Sequence, residues 1–121
     1  MDTGQNGSTV LVVDDEPAIR LLCRVNLELE GFRVLEAGTL AEARAQLGEA
    51  DAVLLDVHLG RERGHDLLQE LAGRTPVAIV SGSSGESVDV STADILLPKP
   101  FTIEELVEAA NALIALGRIR G

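Results

Sequence analysis

The stretch Asp51-Ala-Val-Leu-Leu-Asp56 decides the fold, because four consecutive apolar residues stand between two carboxylates. The run is too short for a helix and does not alternate as a half-exposed strand would. It therefore predicts a central parallel strand that is covered on both faces. Open α/β sheets place their chemistry at the carboxyl ends of such strands, where Asp56 stands. Taken alone, Asp56 is better explained as a residue that ends the strand and starts a turn.

The composition indicates one small acidic domain. The chain has 121 residues, of which 45% are hydrophobic and only 2% aromatic, so Val, Leu, Ile and Ala must form the core. The formal net charge of −10 argues against binding to nucleic acid or to an anionic membrane. A single cysteine allows no internal disulfide, and no apolar run is long enough to span a bilayer. We expect a cytoplasmic location.

Strands and helices alternate along the chain. Four further apolar segments predict strands at residues 10–13, 32–36, 76–80 and 95–97. Helices are predicted from Pro17 to a terminator at Gly31, from a capping box at Thr39 through residue 47 to a stop at Gly48, and over residues 65–72. A second capping box at Thr102 opens the last helix, which Gly117 should end.

Apolar periodicity predicts which helix residues face the core. In the first helix the helical spacing is kept by Ala18, Leu22, Val25 and Leu29, and in the last helix by Ile103, Leu106, Ala110, Leu113 and Ile114. Residues 60–64 read as a flexible charged loop, and residues 86–93 as a weak or irregular helix. We predict a disordered leader at residues 1–9, one domain at 10–117 and a short tail at 118–121. The fold class is α/β with a parallel sheet covered by helices on both sides, and the alternation leaves the strand order open.

The unusual residues stand at the strand ends, which lie on one edge of a parallel sheet. Asp14 and Asp15 follow the first strand, Asp56 ends the third, Ser81 follows the fourth and Lys99 the fifth. Each has an ordinary explanation as a helix cap, a turn residue or a solvated lysine. Their coincidence on successive strand ends is better explained by one site. Three carboxylates repel one another unless they share a hard cation such as Mg²⁺. The Lys99 ammonium and the Ser81 hydroxyl are groups that bind phosphoryl oxygens.

These motifs resemble the receiver domains of two-component response regulators over residues 10 to about 116. The matching segments are Val12-Val-Asp14-Asp15-Glu-Pro17, Leu54-Leu-Asp56 with Gly64 eight positions later, Ile79-Val-Ser81-Gly82 and Lys99-Pro-Phe101. The resemblance implies a flavodoxin-like (βα)5 fold with strand order 2-1-3-4-5. That order would bring the ends of the first and third strands together.

The resemblance also implies a role for each site residue. Asp56 would be the phosphoacceptor. Asp15 and Asp56 would ligate Mg²⁺ (or Mn²⁺) directly together with the backbone carbonyl of His58, and Asp14 partly through water. Lys99 would pair with Asp56 at rest and with a phosphoryl oxygen afterwards, and Ser81 would bind another phosphoryl oxygen.

The implied function is a phosphoacceptor in a Mg²⁺-dependent phosphorelay, not an enzyme apart from self-phosphorylation and autodephosphorylation. Its phosphoryl donor would be a sensor histidine kinase or a histidine phosphotransfer protein. An unknown downstream protein would receive the signal by docking, with no nucleic acid or membrane partner. The resemblance further implies a cis peptide between Lys99 and Pro100.

The chain departs from the family pattern in three places. Gly60 replaces the usual Pro, which predicts a looser loop after Asp56. Ser81 lies 25 positions after Asp56 and Lys99 lies 18 after Ser81, so the third and fourth helices are expected to be short. Leu96 stands where the family commonly has an aromatic switch residue.

Four alternatives stand beside this interpretation. One is a receiver-like interaction module that signals without phosphorylation, and another is a truncated receiver of a larger regulator. A haloacid-dehalogenase-like phosphatase is disfavoured, because its second Asp is replaced by His58. A zinc site at His58 is also disfavoured, since no second His or Cys stands at ligand spacing.

Overall fold

The core of the molecule is a sheet of five parallel strands. The computed structural model describes residues 7–59, 62–71, 73–82 and 93–120. We number the sheet strands in chain order as β1 (Thr9–Val13), β2 (Arg33–Ala37), β3 (Ala52–Asp56), β4 (Val77–Ser81) and β5 (Ile95–Pro98). Their order across the sheet is β2-β1-β3-β4-β5, and all neighbours are parallel. The flavodoxin-like fold and the 2-1-3-4-5 order are thus confirmed.

The two central strands are buried along their whole length. Every residue of β1 and β3 is buried, as their continuous apolar runs predict. Successive side chains of a strand point to opposite faces, so Val10 and Val12 enter one core cluster while Leu11 and Val13 enter the other. The sheet is therefore covered on both sides, and its chemistry is confined to the strand ends.

Four α-helices form the outer layers. They are α1 (Pro17–Leu29), α2 (Leu40–Gln46), α3 (His65–Leu71) and the C-terminal helix α4 (Ile103–Arg120). Residues of α1 and α4 share one core cluster, and those of α2 and α3 share the other. The capping box of α4 is reciprocal: the Glu105 N–H donates to Thr102 Oγ1 at 3.0 Å, and the Thr102 N–H donates to Glu105 Oε1 at 2.8 Å.

Several predicted boundaries and faces are wrong. The C-terminal helix continues through Gly117 to Arg120, and Gly48 lies inside a 3₁₀ turn (Leu47–Glu49) that extends α2. The predicted inward stripe of α1 is largely exposed, because Cys23 and Leu27 on its other face pack on the sheet. Ile103 is also exposed, at the very start of its helix, whereas the other four predicted core residues of α4 are buried.

The described residues of the segment after β3 form a short hairpin, where a flexible loop was predicted. His58–Leu59 pairs with Glu62–Arg63 as a short antiparallel hairpin, and residues 60 and 61 between them lie outside the described residues. The Gly64 N–H then donates to the Val57 carbonyl at 3.0 Å, which closes the segment back onto the end of β3. Residues 58–59 and 62–64 are therefore tied to the end of β3, next to Asp56.

Two predicted segments are not tested. Residues 1–6 of the predicted leader and most of the predicted irregular helix at 86–93 lie outside the described residues.

The strand β1 begins at Thr9, one residue earlier than expected. None of the helices in the described part of the chain has the length and apolar character needed to cross a bilayer.

Gly117→Ala is expected to raise the free energy of unfolding by about 0.5 kcal/mol, because glycine inside a helix is disfavoured relative to alanine. A Cβ at this position would lie 3.4 Å from Pro76 Cγ, which is ordinary contact. The position is close to the helix end, so only part of the full propensity difference of about 1 kcal/mol should appear. Urea unfolding measures the change, and an unchanged or lower midpoint would contradict this reading.

Candidate functional site

The strand register brings the predicted site residues to one edge of the sheet. Val13 of β1 is level with Leu55 of β3, so the next residues, Asp14 and Asp56, stand side by side. Ser81 at the end of β4 is level with Pro98, which directly precedes Lys99. The order β1-β3-β4-β5 therefore gathers at one edge the residues that were predicted separately along the chain.

Three carboxylates form the centre of the site. Ligand oxygens of Asp14, Asp15 and Asp56 all lie within 4.8 Å of one another, and this is the one such acidic group found among the described residues. The side chains of Asp14 and Asp56 are buried, whereas Asp15 is exposed and opens the group to solvent. An all-oxygen donor set with an accessible side suits a hard divalent cation, and it contains no His or Cys that would favour zinc.

Backbone hydrogen bonds orient the two buried carboxylates. The Glu16 N–H donates to Asp14 Oδ1 and the His58 N–H donates to Asp56 Oδ1, each at 2.9 Å. Arg20 Nη1 donates to the Asp14 carbonyl at 2.6 Å and fixes the backbone at the end of β1. In each carboxylate this leaves Oδ2 directed at the same cation, Lys99.

Lys99 bridges both buried carboxylates. Its Nζ lies 3.2 Å from Asp56 Oδ2 and 3.3 Å from Asp14 Oδ2. Partial burial alone would lower the pKa of Lys99, but attraction to Asp56 and Asp14 outweighs it and raises that pKa. The ammonium therefore stays charged and offsets part of the repulsion between the carboxylates. The contact with Asp56 was predicted, whereas the contact with Asp14 was not.

The pKa of Asp14 is raised by its buried position in this acidic group. Burial is the largest influence and raises the pKa of Asp14, and repulsion from Asp56 raises it further. The hydrogen bond from Glu16 and the charge of Lys99 act in the opposite direction without cancelling the effect. Three carboxylates with one lysine leave negative charge uncompensated at these strand ends, which is a reason to expect a cation there.

Ser81 ends β4, the neighbour of β3, and His58 lies two residues after Asp56. Ser81 is half-buried, and its carbonyl accepts a hydrogen bond of 2.7 Å from the Lys99 N–H, which ties the ends of β4 and β5 together. The Lys99–Pro100 peptide is cis, as the resemblance implied. The residue His58 is exposed, and its backbone touches the site through Asp56. Leu96 is 48% exposed.

Comparison with known proteins identifies the family. A sequence model of the response regulator receiver domain matches residues 10–111 of this chain. The chain belongs to the response regulator receiver domain family. The match includes every residue of the site and all five sheet strands except Thr9, the first residue of β1, so the resemblance found in the sequence motifs is confirmed.

Relatives of this receiver domain include transcriptional regulators. It is 37% identical over 119 residues to the KDP operon transcriptional regulatory protein KdpE of Escherichia coli, covering 92% of this chain and 52% of that protein. It is 37% identical over 112 residues to the transcriptional regulatory protein CpxR of Klebsiella pneumoniae, covering 87% and 48%. The chain thus spans about half the length of these curated relatives.

A solved receiver domain supports the same assignment. The receiver domain of NtrX from Brucella abortus aligns with a TM-score of 0.79 at 31% identity, covering 88% of this chain and 98% of that domain. The family and the fold therefore agree with each other along nearly the whole domain.

The sequence pattern misassigned one surface beside the site. Leu22 and Val25 on α1 are 41% and 47% exposed, and Leu22 lines a cavity of about 370 Å³ together with Lys99 and Phe101. The signal was present in the sequence, since both residues belong to the apolar stripe predicted for α1. It was attributed to the core, although the helix carries a second apolar face that packs on the sheet. The receiver domain therefore presents an apolar surface next to its charged site.

Proposed function

We propose that this receiver domain accepts a phosphoryl group on Asp56 from a phosphohistidine of a histidine kinase or a histidine phosphotransfer protein. The observation that carries the proposal is the position of the Asp56 carboxylate. It is buried, oriented by the His58 N–H, and held 3.2 Å from the Lys99 ammonium within the three-carboxylate group. A purely structural aspartate at a strand end would not require a partly buried cation and two further acids around it.

The residues of the site divide the work of transfer. A carboxylate oxygen of Asp56 attacks phosphorus as the bond from phosphorus to the donor imidazole nitrogen breaks, and the electron pair of that bond leaves with the imidazole. The Lys99 ammonium already lies against Asp56. It therefore binds one oxygen of the phosphoryl group as that group is transferred. The Ser81 hydroxyl, at the end of the neighbouring strand, binds another. This is catalysis by positioning and charge stabilisation.

The acidic group would hold Mg²⁺ through Asp15 and Asp56, with Asp14 and the His58 carbonyl completing the protein side. When bound, the ion supplies positive charge to the phosphoryl oxygens during transfer. The oxygen-only donor set and the exposed position of Asp15 support this assignment. The same arrangement should allow Asp56 to react with small phosphodonors and later to lose its phosphoryl group to water, so the domain acts on itself and not on a separate substrate.

Asp56→Asn is expected to abolish phosphorylation, because an amide cannot serve as the acceptor oxygen. Intact-protein mass after incubation with acetyl phosphate should show one added phosphoryl group in the presence of Mg²⁺ and none with a chelator. Asp66→Asn, which removes an exposed carboxylate in the first turn of α3, is the matched control and should be modified like wild type. If the folded wild-type chain gains no mass beside a receiver that does, phosphorylation at Asp56 is refuted.

Two other modes of signalling stay open beside this proposal. The exposed Leu96, in place of an aromatic switch residue, favours an interaction module that works without phosphorylation. Because the chain spans about half of its curated relatives, output through a further domain of a longer protein is an alternative to direct docking. The mass experiment separates the first of these from phosphotransfer.

The phosphodonor should dock over the amino-terminal half of α1. A phosphohistidine must bring its phosphorus within about 3.5 Å of an Asp56 oxygen, so the donor surface has to cover the residues around the site. The exposed Leu22 shares a cavity with Lys99 at that position, whereas Leu29 lies about 10 Å further along the helix axis. Apolar contact near Leu22 therefore belongs to the expected docking area.

Leu22→Ser is expected to slow phosphotransfer from a protein donor about tenfold, because apolar anchors carry much of the energy of an interface. Modification by acetyl phosphate should keep its wild-type rate, since the small donor needs no docking surface. The matched control Leu29→Ser removes an even more exposed leucine of the same helix. Transfer from a histidine kinase that labels the wild type measures the effect, and equal losses in both variants would argue against this docking area.

A further inference from the structure

A second cavity lies at the opposite edge of the sheet from Asp56. It has a volume of about 530 Å³ and is lined by residues that precede β1, β3 and β4 together with the last turns of the C-terminal helix. Five strand residues separate the two edges, so this cavity is roughly 15 Å from the phosphorylation site. This volume falls within the range of small-molecule binding sites. It is far larger than the volume that a single ion occupies.

Two arginines line this cavity without a described partner. The guanidinium groups of Arg74 and Arg118 make no hydrogen bond or ion pair with the described residues. Four basic side chains of the described region, Arg20, Arg24, Arg44 and Lys99, are paired with carboxylates, whereas the exposed Arg33 is not. In a chain with a net charge of −10, two guanidinium groups without a carboxylate partner among the described residues thus meet at one cavity.

The helix wall of the cavity has no side chain at its centre. A Cβ on Gly117 would point at Pro76 Cγ (3.4 Å) and the Asp51 carbonyl (3.9 Å), both of which belong to residues that line the cavity. Glycine here costs helix stability and keeps the space open. Arg118 alone could be explained by the negative end of the helix dipole, but that explanation covers neither Arg74 nor Gly117.

We propose that this cavity binds a small organic phosphate. Arg74 and Arg118 supply guanidinium donors for the phosphate group, and Thr75 supplies a hydroxyl at the same rim. Asp51 uses Oδ2 to accept the Thr9 N–H at 2.8 Å, which leaves Oδ1 to accept a hydroxyl group of the ligand body. The volume and the carboxylate both favour a hydroxylated organic phosphate over the bare ion. The inference does not depend on phosphorylation of Asp56.

Titration of the full chain with ligand, followed by two-dimensional ¹H–¹⁵N NMR spectra, tests the proposal. The probes are ribose 5-phosphate and inorganic phosphate, in magnesium-free buffer with a chelator so that the acidic group binds neither. Ribose 5-phosphate should shift the amides of Arg74, Thr75 and Gly117 in a saturable manner and bind more tightly than inorganic phosphate. Arg74→Gln and Arg118→Gln should each weaken it about tenfold or more, the usual effect of losing a charged hydrogen bond.

Two further variants make the outcome decisive. Arg33→Gln removes an exposed arginine at the start of β2, on the same side of the sheet as the cavity. Arg33 does not line the cavity, so this variant should bind as wild type does. Gly117→Leu keeps both charges but occupies the space, and it should abolish binding. The proposal is overturned if ribose 5-phosphate binds no more tightly than inorganic phosphate, if no saturable shift occurs, or if Arg33→Gln weakens binding as much as Arg74→Gln.

Discussion

Lys99→Met is expected to lower the free energy of unfolding by about 2 kcal/mol in magnesium-free buffer at neutral pH. The ammonium is the common partner of Asp14 and Asp56, so its removal leaves two buried carboxylates facing each other without a cation. Breaking a fully buried ion pair costs about 3–5 kcal/mol. The smaller figure is expected here because the Lys99 side chain is 23% exposed and Asp15 opens the group to water.

Two conditions should restore the stability of Lys99→Met. Mg²⁺ should stabilise the variant more than the wild type, because the ion would replace the missing positive charge. Lower pH should also help: the pKa of Asp14 is raised in the folded wild type and should rise further without Lys99. A carboxyl whose folded pKa exceeds its unfolded pKa favours folding as the pH falls through the folded value. Urea unfolding across pH and Mg²⁺ concentration measures both effects.

The matched control for Lys99→Met is Arg44→Met. Arg44 forms a 2.7 Å ion pair with Glu70, but both side chains are more than 40% exposed. Exposed pairs contribute about 0–1 kcal/mol, and their loss should respond little to Mg²⁺. If the two variants lose the same stability, or if Mg²⁺ does not distinguish them, Lys99 is not the compensating charge of the acidic group.

The site residues could be predicted from the sequence because each stands at a strand end. Because a buried strand ends at Asp56, the Asp56 carboxylate must lie at the carboxyl end of that strand. Parallel pairing of β1 with β3 then places Asp14 beside it. The contact between Lys99 and Asp14 depends on where β5 lies in the sheet. The family resemblance supplied that order, but it does not tell how far the Lys99 side chain reaches from the end of β5 toward the end of β1, so this contact required the structure.

Helix faces and helix ends were harder to predict, since tertiary packing decides between patterns that are locally equivalent. In α1, both Leu22 with Val25 and Cys23 with Leu27 keep a helical spacing, and only the second pair is buried. Gly117 has the chemistry of a helix terminator, yet α4 continues past it because the helix packs over its length on the sheet. Residue spacing alone carries no information about which face the sheet covers.

The hairpin after Asp56 was missed for a related reason. Glycine and alternating charges at residues 60–64 are typical of a mobile loop. The structure pairs His58 with Arg63 and ties Gly64 back to the carbonyl of Val57. Val57, whose carbonyl accepts the bond from Gly64, is buried in the core, and composition does not reveal that packing.

Gly64→Ala is expected to lower the free energy of unfolding by about 2 kcal/mol, within the usual range for overpacking. A Cβ on Gly64 would lie 2.8 Å from the Asp56 carbonyl oxygen and 3.0 Å from Val57 Cα. Both neighbours are backbone atoms, so no side-chain rotation relieves the clash. Gly64 itself is fixed, since its N–H donates to Val57 and its carbonyl accepts from the first turn of α3.

The same substitution should also slow phosphorylation of Asp56. Relief of the clash must move the backbone at Val57, and the next N–H, that of His58, orients Asp56 Oδ1. A misplaced acceptor loses rate even when the chemistry of its side chain is intact. Gly48→Ala is the control, because a Cβ there meets nothing within 4 Å. Stability is read by urea unfolding and phosphorylation by intact mass. If Gly64→Ala matches Gly48→Ala in both, the close approach at Gly64 does not support the site.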